Sequence, residues 1–224
     1  MSKMSNFCSN CGISLQTDSK FCSHCGQKMD SISSGQNVPH ENFLMWSYQR
    51  IFPDNSMNLD QLSEFYEGDA GDELFEQIDN GHHESMLRMA LILCMYEDEV
   101  FNAIELAEEA TKSAQKEKIN LGKFWFTYGV TLQWNEQFPE AMKAFGESLN
   151  AGFGAASLPL GQLTLINDAN LKLAIAIWKS GVSEYGIHEC EIELKKLEID
   201  PGIYRAAVTL RDGTVDIITV LEKN

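Results

Sequence analysis

From about residue 84 the apolar positions recur at helical spacing. Met86, Leu87, Met89, Ala90, Leu93 and Cys94 make one broad face; Val100, Ala103, Ile104, Ala107 and Ala110 make the next at intervals of three and four. The acidic Glu97-Asp98-Glu99 lies between them, so the stretch predicts a helix hairpin. Residues 121–153 repeat the build. Trp125, Gly129 and Leu132 fall in a first helix, Ala141, Phe145 and Ser148 in a second, and Pro139 takes the second helix's first position. A third unit follows: Ala174 to Trp178 matches Ala141 to Phe145 at an offset of 33, and Gly186 follows Gly152 by 34. Backwards, Ala103 to Ala107 matches at an offset of 38, which predicts an insertion around Lys112–Asn120. In the outer units Leu87 and Leu158 replace the aromatic, and Leu91 and Gln162 replace the small residue.

The flanks are less regular. Apolar content starts at Phe43-Leu44-Met45-Trp46 and Ile51-Phe52, then Pro53-Asp54-Asn55 reads as a turn. Leu59, Leu62, Phe65 and Tyr66 fit a helix with Asn58 as N-cap. The loop 68–73 lacks the alternating ligands and closing Glu of a calcium loop, and reads as a solvated lead into a helix Glu73–Asp79. Residues 188–197 are ambiguous. A helix is favoured, because Cys190, Leu194 and Leu197 share a face and Glu191–Lys195 is a helical ion-pair spacing. Past Pro201-Gly202 two β-branched runs flank Asp212-Gly213, which predicts a hairpin with a two-residue type I′ turn. That register sets Leu210 opposite Val215, Val208 opposite Ile217, Ala206 opposite Thr219 and Tyr204 opposite Leu221. An isolated hairpin is marginal, so it is expected to pack on the helices, to gain a third strand, or to pair with another chain, which would give a homo-oligomer.

The first thirty residues follow a different rule. Cys8 and Cys11 form one C-x-x-C, and Cys22 and Cys25 form a second. Phe7-Cys8-Ser9-Asn10-Cys11-Gly12 returns fourteen residues later as Phe21-Cys22-Ser23-His24-Cys25-Gly26, with Leu15 matched by Met29. Two intervening residues let a tight turn aim both thiolates at one ion, and Zn²⁺ takes four soft ligands in a tetrahedron. Gly12 and Gly26 stand where such a turn calls for positive φ. A redox dithiol pair and an Fe–S site are the alternatives; two knuckles of matching form favour zinc. A segment this short cannot stabilise itself by burial, so metal binding would supply its folding energy, on the order of 10 kcal/mol. His24 is a substitute ligand at most, since four Cys complete the sphere. The stretch Asp30–Asn42 is rich in Ser, Gly and Asn and reads as a flexible tether.

Residues 6–30 resemble the small zinc-ribbon domain found at the N-terminus of many bacterial and archaeal proteins. That resemblance implies one structural zinc held by Cys8, Cys11, Cys22 and Cys25, with no open coordination position and no catalysis. The unit 121–153 resembles the tetratricopeptide repeat on Trp125, Gly129, Ala141 and Phe145. The outer units match mainly in their second helices. This resemblance implies stacked helix hairpins with a concave surface for a protein partner. Tyr128, Gln133, Asn135, Lys143 and Asn150 lie off the assumed core stripe and are the candidates to line it, while Trp134 reads as packing.

Composition then narrows the function classes. Of 224 residues 44% are hydrophobic, too many for a disordered chain; the opening MSKMSNFCSNCG has no apolar stretch, so no secretory signal is expected, and closely spaced Cys then point to metal rather than disulfides. The net charge is −16, but unevenly spread: residues 1–30 carry +1 and the remainder, with 14 basic and 31 acidic residues, −17. An acidic body repels phosphate backbones and anionic lipid. Lys3, Lys20 and Lys28 leave nucleic-acid contact through the ribbon as an alternative. The run Met86–Tyr96 is half the length of a membrane span and carries Arg88. A cytoplasmic protein is expected. Gly81-His82-His83-Glu84, His188 with Cys190, and the apolar-flanked Cys94 fit no catalytic frame, and no phosphate loop or nucleophile elbow is present. An enzyme with a dispersed site is the remaining alternative.

The expected fold class is therefore mainly α: a tetratricopeptide-like body with a small Cys₄ zinc ribbon and a C-terminal β-hairpin. Its expected divisions are ribbon 1–30, linker 31–42, helical repeats 43–200 and hairpin 201–224. The expected function is a non-enzymatic, zinc-binding adaptor.

Overall fold

The helical periodicity becomes a row of antiparallel helix pairs. The computed structural model describes residues 6–7, 14–15, 38–54, 61–62, 64, 68–199, 203–209 and 215–221. They belong to two units, 1–37 and 38–224. In the first unit, β1 (Asn6–Phe7) pairs antiparallel with β2 (Ser14–Leu15), Asn6 opposite Leu15 and Phe7 opposite Ser14.

The second unit opens with α1 (Val38–Ile51) and continues with α2 (Asp69–Asp79). The helix α1 starts inside the stretch read as a tether, with Pro39 in its first turn, where a missing N–H is no loss. The loop expected over 68–73 is likewise helical from Asp69: Asp69 and Asp72 lie in the first turn of α2, where the helix dipole favours negative charge. Asn58, the expected N-cap, lies outside the described residues.

Three pairs follow. They are α3 (His83–Leu93) with α4 (Val100–Lys116), α5 (Gly122–Trp134) with α6 (Phe138–Asn150), and α7 (Ser157–Asp168) with α8 (Leu171–Tyr185). A last helix, α9 (His188–Ile199), covers the ambiguous segment, and Lys195 Nζ meets Glu191 Oε1 at 2.7 Å along it. From α2 onward each helix packs on the next in sequence. The first helices of neighbouring pairs also touch, α3 with α5 and α7 with α9.

The backbone records the period. The residue that ends one unit before each first helix has positive φ: Gly81, Lys118, Gly152 and Gly186, the last three spaced by 34. Lys118 holds with a side chain a conformation that glycine takes freely. The insertion expected near 112–120 is an extra turn of α4, which has 17 residues against 13 in α6 and 15 in α8.

Close approach explains the small residues. A Cβ on Gly129 would lie 2.7 Å from the ring of Phe145, and one on Gly161 would lie 2.2 Å from Trp178 Nε1. Gly161, not Gln162, therefore fills the small position of the third pair. In the first pair Ala90 fills it rather than Leu91: it is fully buried and stands seven residues into its helix, as Gly129 does in α5. Ser148 Oγ donates to the Gly122 carbonyl at 2.8 Å and ties α6 to α5. Trp134, 8% exposed, is part of the core as expected. The main core runs from Leu44, Tyr48, Ile51 and Phe52 through Leu87, Phe126 and Phe145 to Leu163. A second cluster, with Trp178 and Cys190, closes the α7–α9 end.

The fold class needs correcting at its C-terminus. The body is mainly α, and among the described residues it holds no sheet beyond one strand pair. Two backbone strands, β3 (Ile203–Thr209) and β4 (Val215–Leu221), pair only with each other. Their partners are Thr209 with Val215, Ala206 with Ile218 and Ile203 with Leu221. The hairpin expected from Asp212-Gly213, with Leu210 opposite Val215 and Ala206 opposite Thr219, is not supported. Its pairs are out of step by one residue, and five residues, 210–214, separate the paired ends where two were expected. Ile217-Ile218-Thr219-Val220 breaks the apolar–polar alternation, so the pattern alone does not fix a register.

Candidate metal centre and helical inner face

Cys8, Cys11, Cys22, Cys25 and His24 lie outside the described residues. What is described is the β1–β2 pairing that brackets Cys8 and Cys11, so the first C-x-x-C falls in the connection between two antiparallel strands. The donor set fits zinc: four thiols in two matching pairs supply the soft tetrahedral sphere it takes. The other two cysteines stay apart from this chemistry. Cys94 and Cys190 are buried thiols. Burial, together with Glu189 and Glu193, pushes the Cys190 thiol up to about 11 against the lowering bond from Ser157, so it is neutral at pH 7. Among the described residues no three His, Cys, Asp or Glu are placed to share a metal ion. His188 is 70% exposed and bonds Glu191, so it and buried Cys190 do not form a site.

The row of first helices has an inner face, and the chain's own α1 lies on it. This helix touches α3 and α5, and Trp46 packs against both core clusters. Its buried stripe is Leu44, Ser47, Tyr48 and Ile51, the i, i+3, i+4, i+7 pattern of a helix in a groove. Trp46 meets Phe126 of α5 edge-on at 6.1 Å, and Arg88 of α3 stands 4.8 Å over the Phe52 ring. At the far end Glu189 of α9 takes three bonds. Trp46 Nε1 donates to its Oε1 at 2.9 Å, and Arg50 Nη2 reaches Oε1 at 2.8 Å and Oε2 at 2.9 Å. The Arg50 guanidinium also sits 5.3 Å over the Trp46 ring. Burial raises the Glu189 carboxyl, but its own backbone N–H, Trp46 and Arg50 together outweigh that and hold it below the ordinary carboxylate value. Ser47 Oγ, fully buried, has no hydrogen-bond partner.

The expected groove residues differ in exposure. Tyr128 and Gln133 are half-buried on α5, Asn135 follows it, and Lys143 and Asn150 are exposed on α6. Burial first, and Glu108 next, raise the Tyr128 hydroxyl above its usual value. Glu189, Arg50 and Trp46 carried no sequence signal as a set, since Arg50 and Glu189 are 139 residues apart.

A cavity of about 490 Å³ opens where α3 and α5 begin, over Leu87, Phe124 and Phe153. Its polar groups are mostly engaged with neighbours. His82 Nδ1 lies 2.6 Å from Ser85 Oγ, His83 Nε2 lies 3.1 Å from Ser113 Oγ, and Asn120 Oδ1 accepts from Gly122 N at 2.8 Å. Glu117 stands 3.6 Å from the same His83 nitrogen, so the carboxylate does not orient the ring from its far side as a Ser–His–acid relay requires. His82 stands at the N-cap of α3, and His83 and Glu84 open that helix. No helix among the described residues is long and apolar enough to cross a membrane.

The zinc-ribbon domain family matches residues 7–29, a span that holds all four paired cysteines. No curated protein and no solved structure matches the chain.

Proposed function

We propose that this protein is a zinc-binding, non-enzymatic adaptor of the cytoplasm. Its ribbon makes the contact with a protein partner, and its tetratricopeptide-like helical body is the scaffold that carries it. The observation that supports this most is the zinc-ribbon match at 7–29 over two repeated C-x-x-C-G knuckles. The 34-residue spacing of the positive-φ positions and the packing of Gly129 on Phe145 support the repeat assignment. The inner face that such repeats offer to peptides already holds α1, which favours the ribbon as the free contact surface. A single zinc in a Cys₄ sphere would be structural: the thiolates hold the ribbon's shape and leave no position open to substrate.

The test is affinity capture with the full chain, wild type against Cys22→Ser, with and without nuclease. A protein partner retained through nuclease and lost with Cys22→Ser is expected. Capture unchanged by Cys22→Ser refutes the ribbon's role. Capture abolished by nuclease supports nucleic-acid contact instead.

A further inference from the structure

We propose that the inner face of α3, α5 and α9 is a helix-binding groove closed in cis by α1, and that a partner's basic amphipathic helix takes α1's place. This rests on the scaffold reading above, since it gives the same body a second, gated contact. The partner's chemistry is read from the present occupant. It needs an apolar stripe at i, i+3, i+4 and i+7, with an aromatic and, four residues on, an arginine at the edge, as Trp46 and Arg50 are placed. Glu189 recognises that edge through a two-pronged carboxylate–guanidinium bond. The body's net −17 outside the first thirty residues favours a basic helix over an acidic one.

Two features mark α1 as an exchangeable occupant. Its buried stripe includes Ser47, whose hydroxyl is fully enclosed without a hydrogen-bond partner, so a helix with an apolar residue there fits the groove better. Its latch is partly open to water, with Arg50 and Glu189 side chains 38% and 30% exposed, so an incoming arginine can compete for the carboxylate. The incoming helix covers the same apolar surface that α1 leaves, so exchange must overcome mainly the local concentration that the tether gives α1.

The experiment uses the full chain and a synthetic peptide of residues 38–54. Arg50→Gln in the chain weakens the cis latch while the peptide keeps its own arginine. Peptide binding should then tighten about fivefold, and the α1 amides should exchange with deuterium faster by the same factor, because apparent affinity scales with the open fraction. An Arg50→Gln peptide should bind both chains about fivefold more weakly than the parent, leaving the ratio between the chains unchanged, and a Ser47→Ala peptide should bind more tightly than the parent. Peptide binding equal in both chains, or α1 amides exchanging only with those of α5, overturns the proposal. Concentration-dependent dimers of the Arg50→Gln chain in place of peptide binding would make a second copy the occupant and overturn it too. None of these readouts involves the ribbon, so they fail or succeed independently of the partner capture above.

Discussion

Replacing Gly161 by Ala tests the close packing of the helix pairs most sharply. In α7 the new methyl would stand 2.2 Å from Trp178 Nε1 and 2.7 Å from Cδ1 and Cε2 of the same ring. Trp178 is fully buried and donates to the Leu158 carbonyl at 3.3 Å, so it cannot swing into solvent. Overpacking of this kind costs about 1–3 kcal/mol, and straining the indole bond about 1 kcal/mol more. Exchanging Gly for Ala inside a helix returns about 1 kcal/mol. The net is a loss of about 2 kcal/mol. Gly146 is the control: it is also helical, on α6, but a Cβ there meets nothing within 4 Å. Gly146→Ala should gain about 1 kcal/mol. For a domain of this size each kcal/mol moves Tm by roughly 3 °C, so thermal melts by far-UV dichroism should show Gly161→Ala about 6 °C lower and Gly146→Ala about 3 °C higher. Gly161→Ala raising Tm as Gly146→Ala does would refute the packing argument, because the same propensity gain would then be unopposed at both sites.

Other consequences follow from single groups. Ser47→Ala removes an enclosed hydroxyl without a partner and should stabilise the chain by about 1 kcal/mol in urea titration; a loss would mean that the hydroxyl is bonded. Glu189 has its carboxyl held low by the folded state, so its contribution is present above the ordinary carboxylate value of 4.5 and fades as pH falls through the lowered one. Glu189→Gln should therefore cost up to about 1 kcal/mol at pH 7 and progressively less as the pH is lowered, and a cost that does not change with pH would contradict the latch. Cys94 and Cys190 are enclosed, and Cys190 has its thiol near 11, so with metal bound neither should react with Ellman's reagent at pH 7 until the body unfolds. Fast labelling of Cys190 in the folded chain would rule out its enclosure.

The helix faces were legible because burial repeats with the helix turn: Val100, Ala103, Ala107 and Ala110 are all enclosed. The pairing of Gly129 with Phe145 was legible for the same reason, as a small residue set against a large one. One step further the reading slipped. A fixed offset of 33 pointed to Gln162, but α7 follows a short 3-10 turn at Gly154–Ala156, and the small residue falls one place earlier, at Gly161. The strand register slipped by one for lack of strict alternation, and α1 began earlier than composition implied because Pro39 suits a first turn. Most of the inner-face site was beyond reach. Glu189 looks like any solvated helix acid until the fold brings it to Trp46 and Arg50, and only the i, i+4 spacing of those two hinted at a shared edge.

Native mass spectrometry of the full chain tests most directly whether the helical body carries a zinc-bound ribbon. One zinc per chain is expected in the wild type, with four thiols becoming reactive on chelation while the far-UV spectrum of the helices holds. The Cys22→Ser chain should carry none. Zinc retained at full stoichiometry in Cys22→Ser, or chelation that frees no thiols, would contradict the assignment of Cys8, Cys11, Cys22 and Cys25 as the metal ligands.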